Sequence, residues 1–421
     1  MLLPSRFFDR ASNPWPHQTD GKRHLRRLRE IVMKLRLSKR LLLSLLLGLP
    51  MGLAGLEAAR ASVSALPPIR IVSTPNPAVL PLLLAMSRDP GLPVQLIPVS
   101  GGEGIDKALR SGAADGQISM TWVAAKEAAQ GTVPDLTLVA VTFWRGFFEL
   151  APAAGQLSQL SALRGKNLLV SGPVGGGRDA GPDILFQATM KRAGYDLTRY
   201  ADDTANVDAG GTTLSVTRRV YPSGDLRVYY LPAMDAAKVL TAQTPLGNGD
   251  WDRSKPQPAS GAFMAEPAAT GIVLSGYLKG THLVRAIDVQ KLFGSYHAWP
   301  EGELPLGGLS LRAAVLNDPA RAAAAQRVTR AYERAAADIM AARGHPLKMA
   351  RIVMVISKGV TTYYHQYGLS LPALVIAAAI HGGDLVYRSD LTVPQIRPDL
   401  VAFESELLAY PAPGSFYGLS H

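Results

Sequence analysis

Residues 69–122 read IRIVSTPNPAVLPLLLAMSRDPGLPVQLIPVSGGEGIDKALRSGAADGQISMTW, and this stretch predicts the fold class. The apolar run IRIVS stops at the loop TPNP, after which AVLPLLLAMSRD has the length of a helix. VQLIPVSGG and DGQISMTW repeat the strand pattern on either side of the helical segment GIDKALRSGAAD. Strands that alternate with helices in this way predict a mostly parallel sheet covered by helices. Ligands of such sheets bind beyond the carboxyl ends of the strands.

The pattern continues with a fourth strand, LTLVAVTFW, and then starts again. GKNLLVSGPVGGG is typical of a strand that runs into a glycine loop, and DILFQATMKRAGYD of the helix that follows. LRVYYLPA and GAFMAEPA add two further strands, and a long Ala-rich helix begins near residue 319. The sequence therefore predicts two α/β units in series, with the chain after Glu266 available to return to the first unit.

The net charge of +11 lies mostly in the first sixty residues. Residues 1–61 hold 12 Lys and Arg against 4 Asp and Glu, which supplies +8 of the total. The rest of the chain holds 32 bases and 29 acids, an ordinary balance for a soluble protein. Because this part has no basic stripe that could follow a phosphate backbone, we expect no nucleic-acid partner.

The chain contains no cysteine. This excludes disulfides, thiolate nucleophiles, Cys-ligated zinc and a lipid-modified N-terminal cysteine. The composition is 47% apolar and 18% charged, which indicates a globular chain that can bury a sizeable core rather than a disordered one.

Residues 33–61 have the three-part order of a secretory signal. The basic start MKLRLSKR precedes the apolar run LLLSLLLGLPMGLAGL, and the triplet Ala59-Arg60-Ala61 fits a cleavage site. The 16-residue apolar run is shorter than the roughly 20 residues that a membrane-spanning helix needs. We therefore expect export from the cytoplasm with cleavage after Ala61, and we take Met33 as the expected start. An uncleaved membrane anchor is the alternative.

Four stretches carry a resemblance to a known family: IRIVSTPNPAVLPLLLA, GGEGIDKALRSGAADGQI, FELAPAAGQLSQLSALRGKNLLVSGPVGGGRDAGPDILF and FMAEPAATGIVL. In their order and spacing they resemble the periplasmic substrate-binding proteins of the nitrate, sulfonate and taurine type, a group that also includes binders of thiamine-pyrimidine precursors. The resemblance runs from about Ile69 to Ala342. The segment from Thr244 to Gly261 and the tail after Lys358 depart from the family pattern.

The resemblance implies an α/β, two-lobed periplasmic-binding-protein fold (type II), in which each lobe is a mostly parallel sheet flanked by helices and the ligand cleft lies between the lobes. It assigns residues 66–152 and 267–421 to lobe 1, including a C-terminal helical tail, and residues 153–266 to lobe 2, after an upstream extension and signal peptide over 1–61.

The implied function is that of the periplasmic solute-binding component of an ABC importer. Such a protein acts as a monomer without a cofactor, captures a small anionic solute such as a sulfonate, nitrate or taurine, and delivers it to an ABC permease and its ATPase. The alternatives are an enzyme on the same fold, of the pyrimidine-precursor synthase or lyase type, and a periplasmic ligand sensor.

The glycine-rich segment SGPVGGGRDAG follows a predicted strand and opens a predicted helix, so its free N–H groups and the helix dipole can hold an oxyanion. Its candidate ligand-binding residues are Ser171, Gly172, Gly175, Gly176, Gly177, Arg178 and Asp179. Arg178 would pair with a carboxylate, sulfonate or phosphate, or else with Asp179 or Asp183 in a surface ion pair. A tight turn without a ligand is the alternative interpretation.

Residues at the other strand ends complete the candidate set. Ser73, Thr74, Asn76, Gly101 and Gly102 follow the first two strands, Thr121, Trp122 and Trp144 at the third and fourth would form an aromatic wall, and Glu266 stands in a segment expected to cross between the lobes. The carboxylate there would take an ammonium group of the ligand or hold the hinge. The histidines lack HExxH spacing, so we expect no metal site, and no motif indicates a catalytic residue.

Overall fold

The structure is a computed structural model that describes residues 66–153, 159–172, 177–222, 226–243, 245–246, 257–294, 296–408 and 410–418. The first four strands lie where the sequence patterns predict them. The strands are β1 (Ile69–Ser73), β2 (Val94–Pro98), β3 (Gly116–Met120), β4 (Leu136–Arg145), β5 (Phe147–Pro152), β6 (Asn167–Gly172), β7 (Ala201–Asp208), β8 (Thr213–Tyr221), β9 (Leu226–Pro232), β10 (Pro245–Leu246), β11 (Gln257–Pro258), β12 (Gly261–Ala265), β13 (Leu283–Asp288), β14 (Gly307–Arg312) and β15 (Val386–Tyr387).

Helices cover these strands and form the C-terminal tail. The helices are α1 (Leu80–Arg88), α2 (Gly102–Arg110), α3 (Thr121–Ala129), α4 (Gly181–Arg192), α5 (Ala233–Ala242), α6 (Ala268–Leu278), α7 (Val289–Leu292), α8 (Ala313–Leu316), α9 (Pro319–Ala341), α10 (Pro346–Tyr364), α11 (Ala373–Gly382) and α12 (Val393–Leu408). The strand predicted through Trp122 ends two residues earlier, because α3 begins at Thr121. No helix within the described ranges is long and apolar enough to cross a membrane.

Two mixed sheets carry the fold. The first has the order β15-β4-β14-β3-β1-β2, and the second has the order β13-β5-β12-β6-β9-β8-β7. β1 pairs in parallel with β2 and β3, while β14 lies antiparallel between β3 and β4. β1, β2, β3 and β4 therefore run in one direction. In the second sheet the pairings give one shared direction to five of the seven strands, which are β6, β7, β9, β12 and β13. The predicted α/β fold with mostly parallel strands is confirmed.

The chain passes between the sheets at residues other than those expected. β5 and β13 pair antiparallel with each other, and β5 also pairs with β12, so both strands belong to the second sheet. The chain enters this sheet at Gly146, after β4, and leaves it only after Asp288, whereas the expected lobe 2 was 153–266. Glu266 therefore lies inside lobe 2, because long-range strand pairing, which no local pattern encodes, sets the boundary.

Packing differs on the two faces of the second sheet. Successive residues of a strand point to opposite faces, and accordingly Phe147 joins a large buried cluster that continues into the first sheet, while Phe148 joins a smaller cluster on the other face. Each fully buried phenylalanine contributes about 1.5–3 kcal/mol through burial. Since the larger cluster contains side chains of both sheets, the two lobes share apolar packing as well as chain connections.

The C-terminal tail belongs to the folded body. α10 and α11 pack on each other, and α10 also packs on α1, so this part of the tail covers lobe 1 as the apolar segment LPALVIAAAIHG predicted. α12 packs on α3 of lobe 1 and on α4 of lobe 2. The last helix therefore touches both lobes.

Glu404, on α12, makes stability depend on pH. Its carboxyl is fully buried and accepts a hydrogen bond from the Tyr417 hydroxyl at 2.6 Å, and burial raises its pKa from 4.5 to about 8. Because the folded-state pKa lies above that of the unfolded chain, the free energy of unfolding should fall by about 1.4 kcal/mol per pH unit between these two values. Glu404→Gln should make the slope shallower by about 1.4 kcal/mol per pH unit, measured by urea unfolding between pH 5 and pH 8, while Glu127, a buried carboxyl whose pKa burial raises to about 9, keeps its own contribution.

The control is Glu103→Gln, which changes an exposed carboxyl in the first turn of α2. This variant should keep the slope of the parent protein. An unchanged slope in Glu404→Gln would contradict the assignment of a neutral, buried carboxyl to Glu404.

Candidate functional site

The carboxyl ends of strands from the two sheets face each other across a narrow contact. The indole Nε1 of Trp122, at the start of α3 in lobe 1, donates to the carbonyl oxygen of Gly181, at the start of α4 in lobe 2, at 3.0 Å. A Cβ atom on Gly181 would lie 3.0 Å from Cγ of Met120, the last residue of β3. The strand ends therefore form the edge between the lobes, where ligands of such sheets bind.

The loop after β1 is held by its own side chains. Ser73 is fully buried and donates from Oγ to the carbonyl oxygen of Ile118 on β3 at 2.8 Å. Asn76 accepts from the N–H of Ala78 at 2.8 Å and donates to the same Ile118 oxygen. These two candidates shape the loop, while Thr74 is half-buried and accepts at Oγ1 from the Asn76 side chain at 3.2 Å.

Gly101 and Gly102 form an open start to α2. No atom lies within 4 Å of the position that a Cβ would take at either glycine, and the helix start has no side-chain cap. The first N–H groups of a helix without a cap need acceptors from water or from a ligand. This is the least obstructed backbone among the predicted site residues.

The predicted aromatic wall is instead part of the core. Trp122 and Trp144 are both fully buried, and Trp144 packs against Trp299 with ring centroids 5.9 Å apart. Thr121 is also buried and donates from Oγ1 to the Pro305 carbonyl at 2.6 Å. The structure thus gives these residues packing partners, and Trp122 reaches lobe 2 through Gly181.

The glycine loop after β6 begins in the core. Ser171 and Gly172 are buried, and a Cβ on Gly177 would lie 3.0 Å from the Gly172 nitrogen. Gly177 also has φ +73, a conformation that favours glycine. Gly175 and Gly176 lie outside the described residues.

An ionic cluster lies where the oxyanion was expected. Arg219, a buried residue of β8, donates to both carboxylate oxygens of Asp202 at 2.7 and 2.9 Å and to Asp179 at 3.0 Å. Asp183, in the first turn of α4, is fully buried and accepts from the Asp179 N–H at 2.9 Å. A carboxylate of the protein thus accepts from the Asp179 N–H, one of the backbone groups in the segment predicted to hold an oxyanion.

The pKa values of Asp183 and Asp202, two carboxyls of this cluster, shift in opposite directions. Burial raises the pKa of Asp183, an effect that its hydrogen bonds and the Arg219 charge only partly offset. Hydrogen bonds from Arg219 lower the pKa of Asp202. Arg178, whose side chain is 45% exposed, pairs with Asp202 at 3.1 Å and is the cation of the cluster that water reaches.

Sequence reasoning missed Arg219. The signal was present in the strand TLSVTRRVY, in which two consecutive arginines place one charge on each face of a sheet. An arginine on a buried sheet face is expected to pair with carboxylates, but the sequence does not say which ones.

Glu266 belongs to the hinge region and has internal partners. Its carboxylate is buried, accepts from the N–H of Thr270 at 3.0 Å and pairs with Arg285 at 2.7 Å. Its backbone N–H donates to the carbonyl oxygen of Gly146 at 2.7 Å. Of the two roles expected for Glu266, the contacts match that of holding the hinge.

Gln290 ties the two crossings together and was not predicted. Its fully buried side chain accepts from the N–H groups of Gly146 and Phe147 at 2.8 and 2.6 Å and donates to the Phe147 carbonyl at 2.7 Å. Gly146 is the first crossing and Gln290 opens the second, so one amide connects both. Arg145 adds an ion pair with Asp288 beside them.

α12 bridges the lobes away from these crossings. The ring of Phe403 meets Trp122 of lobe 1 edge-on at 6.1 Å and Phe293, which follows the second crossing, at 5.7 Å. Arg192, at the end of α4 in lobe 2, donates to Glu406 at 2.7 Å. An opening motion of the lobes must therefore also move α12 relative to one of them.

Solved structures share the fold of this chain. An ABC transporter protein from Parabacteroides distasonis matches with a TM-score of 0.52 and 13% identity, over 83% of this chain and 98% of the other. The periplasmic aliphatic sulphonate binding protein SsuA from Escherichia coli matches with a TM-score of 0.51 and 14% identity, over 80% and 84%. The chain has the periplasmic-binding-protein fold. No protein-family model and no curated protein sequence matches the chain.

The described residues of this binding-protein fold contain no group of three or more His, Asp or Glu placed to hold a metal ion. The acidic residues around Arg219 are instead engaged in ion pairs with arginine.

A substitution at Gly146 tests how tightly the chain packs where it first passes between the sheets. A Cβ there would lie 2.7 Å from two ring atoms of Phe143 and 3.3 Å from Cβ of Glu266, so Gly146→Ala should destabilise the fold by about 1–3 kcal/mol through overpacking. The matched control is Gly102→Ala, where the added methyl meets nothing within 4 Å and should be neutral or slightly stabilising. Urea unfolding measures both, and equal stabilities would contradict the tight crossing.

Proposed function

We propose that this protein is the extracytoplasmic solute-binding component of an ABC importer. The observation that carries the proposal is the meeting of strand ends from two α/β lobes beside two hydrogen-bonded crossings, in a fold shared with proteins that are named as ABC transporter and sulphonate-binding components. Two lobes joined in this way can close on a ligand, and the closed form can then be sensed by a permease.

The solute of this proposal is a small molecule with an anionic group, such as a sulfonate, nitrate or taurine. Its support comes from the uncapped start of α2 at Gly102 and from the exposed guanidinium of Arg178 on the facing lobe. Arg219 is buried among Asp179, Asp183 and Asp202, whereas Arg178 pairs with Asp202 from a side chain that is 45% exposed. The anion would therefore be held by lobe 1 and by Arg178, in exchange for its contact with Asp202, rather than by the buried arginine.

The proposal includes a route to the membrane. The segment from Met33 to Ala61 acts as the export signal, the mature protein works in the periplasm as a monomer, and its partners are a permease and an ATPase. The support is the basic, apolar and small-residue order of that segment. These residues lie outside the described part of the structure.

A thermal-shift screen of the chain from Ser62 to His421 tests the proposal. Nitrate, sulfonates, taurine, bicarbonate and pyrimidine precursors form the panel, and a true ligand at 100 times its Kd should stabilise the protein by about 2.7 kcal/mol. Arg178→Gln should weaken binding of the hit, whereas Arg199→Gln, an exposed arginine of the same lobe, should leave it unchanged.

Two results would oppose the proposal. If the hit were chemically consumed, the protein would be an enzyme on this fold. If no anion in the panel stabilised it while a neutral or cationic solute did, the anionic class would be wrong and the capture role would stand.

A further inference from the structure

The helix α10, which covers lobe 1, carries an exposed stripe. At 100° per residue, five of its exposed positions fall within an arc of about 80°. They are Leu347, Arg351, Met354, Lys358 and Thr361, and the exposed Lys348 lies beside them. Leu347 is 71% exposed and Met354 is 50% exposed, which is high for large apolar side chains. The stripe thus alternates apolar and basic residues over about 21 Å of helix.

No acid balances these bases nearby in the chain. The 45 residues from 339 to 383 contain no Asp or Glu, and they carry Arg343, Lys348, Arg351 and Lys358. Across the described residues, neither Lys348, Arg351 nor Lys358 forms an ion pair. The elements on which α10 packs, α1 and α11, also lack acidic residues.

A groove runs along each side of this helix. The first, of about 510 Å³, lies between α1 and α10. Its lining includes the apolar Leu83, Met86 and Val355 and also polar side chains, among them Asp89, which pairs with Arg327 at 2.8 Å. The second, of about 530 Å³, lies on the α11 side and includes Met354 and Ala373. Lys358 borders both grooves, so α10 stands between them as a ridge.

We propose that this face of α10, defined by Leu347, Lys348, Arg351, Met354 and Lys358, docks on an anionic phospholipid bilayer. The apolar side chains would enter the boundary between headgroups and acyl chains, and the long basic side chains would reach the lipid phosphates. Each base close to an anionic surface strengthens binding by roughly fivefold.

A bilayer fits this face better than a folded protein partner does. A ridge between two open grooves can sink into a deformable lipid interface, whereas a rigid protein surface would have to fill both grooves with matching side chains. The charge is also of one sign along the whole stripe, as an anionic membrane surface requires. This inference does not depend on which solute the cleft binds.

Sedimentation with lipid vesicles tests the proposal. The chain from Ser62 to His421 is used, because residues 61–421 form a compact unit of their own and the apolar run before Ala61 would bind lipid by itself. Binding is expected to vesicles of phosphatidylglycerol and phosphatidylcholine, to be absent with phosphatidylcholine alone, and to weaken as salt rises from about 0.05 to about 0.5 M.

Three variants locate the surface. The triple variant Lys348→Gln, Arg351→Gln and Lys358→Gln should lose roughly 100-fold in affinity for the anionic vesicles. Leu347→Ser with Met354→Ser should lose affinity while keeping the salt dependence. The matched control changes three exposed bases elsewhere, Lys107→Gln, Arg330→Gln and Arg334→Gln, and should bind as the parent does.

Thermal unfolding of each variant confirms that these exposed substitutions leave the fold intact. Equal binding by the triple variant and the control, or equal binding to both kinds of vesicle, would overturn the proposal. Absence of binding to either vesicle would also overturn it and would leave an acidic protein as the kind of partner for this face.

Discussion

The hydrogen bonds between the Gln290 side chain and the backbone of Gly146 and Phe147 hold together the two chain segments that pass between the sheets. One buried amide satisfies three backbone groups there, and each of them left without a partner would cost about 1–3 kcal/mol. Because β5 starts at Phe147, this junction also sets how the second sheet begins. The positions of its strand ends relative to lobe 1 depend on it.

Aromatic side chains of both lobes pack around this junction. The ring of Phe147 lies 6.5 Å from Phe143 in lobe 1 and 5.7 Å from Phe263 in lobe 2, and Phe263 in turn meets Phe186 at 5.5 Å. This row of rings packs the first crossing against both sheets. α12 adds a second connection through Phe403, whose ring contacts Trp122 and Phe293.

The two lobes differ in how their polar groups are paired at the edge between them. In lobe 2 the buried Arg219 is saturated by carboxylates of the protein, which hold the glycine loop and the start of α4 in place. In lobe 1 the start of α2 has no such internal partner. The charges of lobe 2 at this edge are thus paired within the lobe, whereas no side chain caps the start of α2 in lobe 1.

The sequence by itself determined the α/β class, the order of β1 to β4 and the helical character of α9 and α11. These features follow from hydrophobic periodicity and from Gly and Pro positions, which act within a few residues. It also placed candidate residues at strand ends, because a strand that runs into a polar loop is visible locally.

Only the tertiary structure decided which sheet receives β5 and β13, and hence that Glu266 lies between strands of the second sheet and contacts the first crossing through Gly146. It also decided that Trp122 and Trp144 are buried and that Arg219 meets Asp179, Asp183 and Asp202. The physical reason is the same in each case: strand pairing, burial and ion pairing join residues that are far apart in the chain, and local patterns carry no record of those partners.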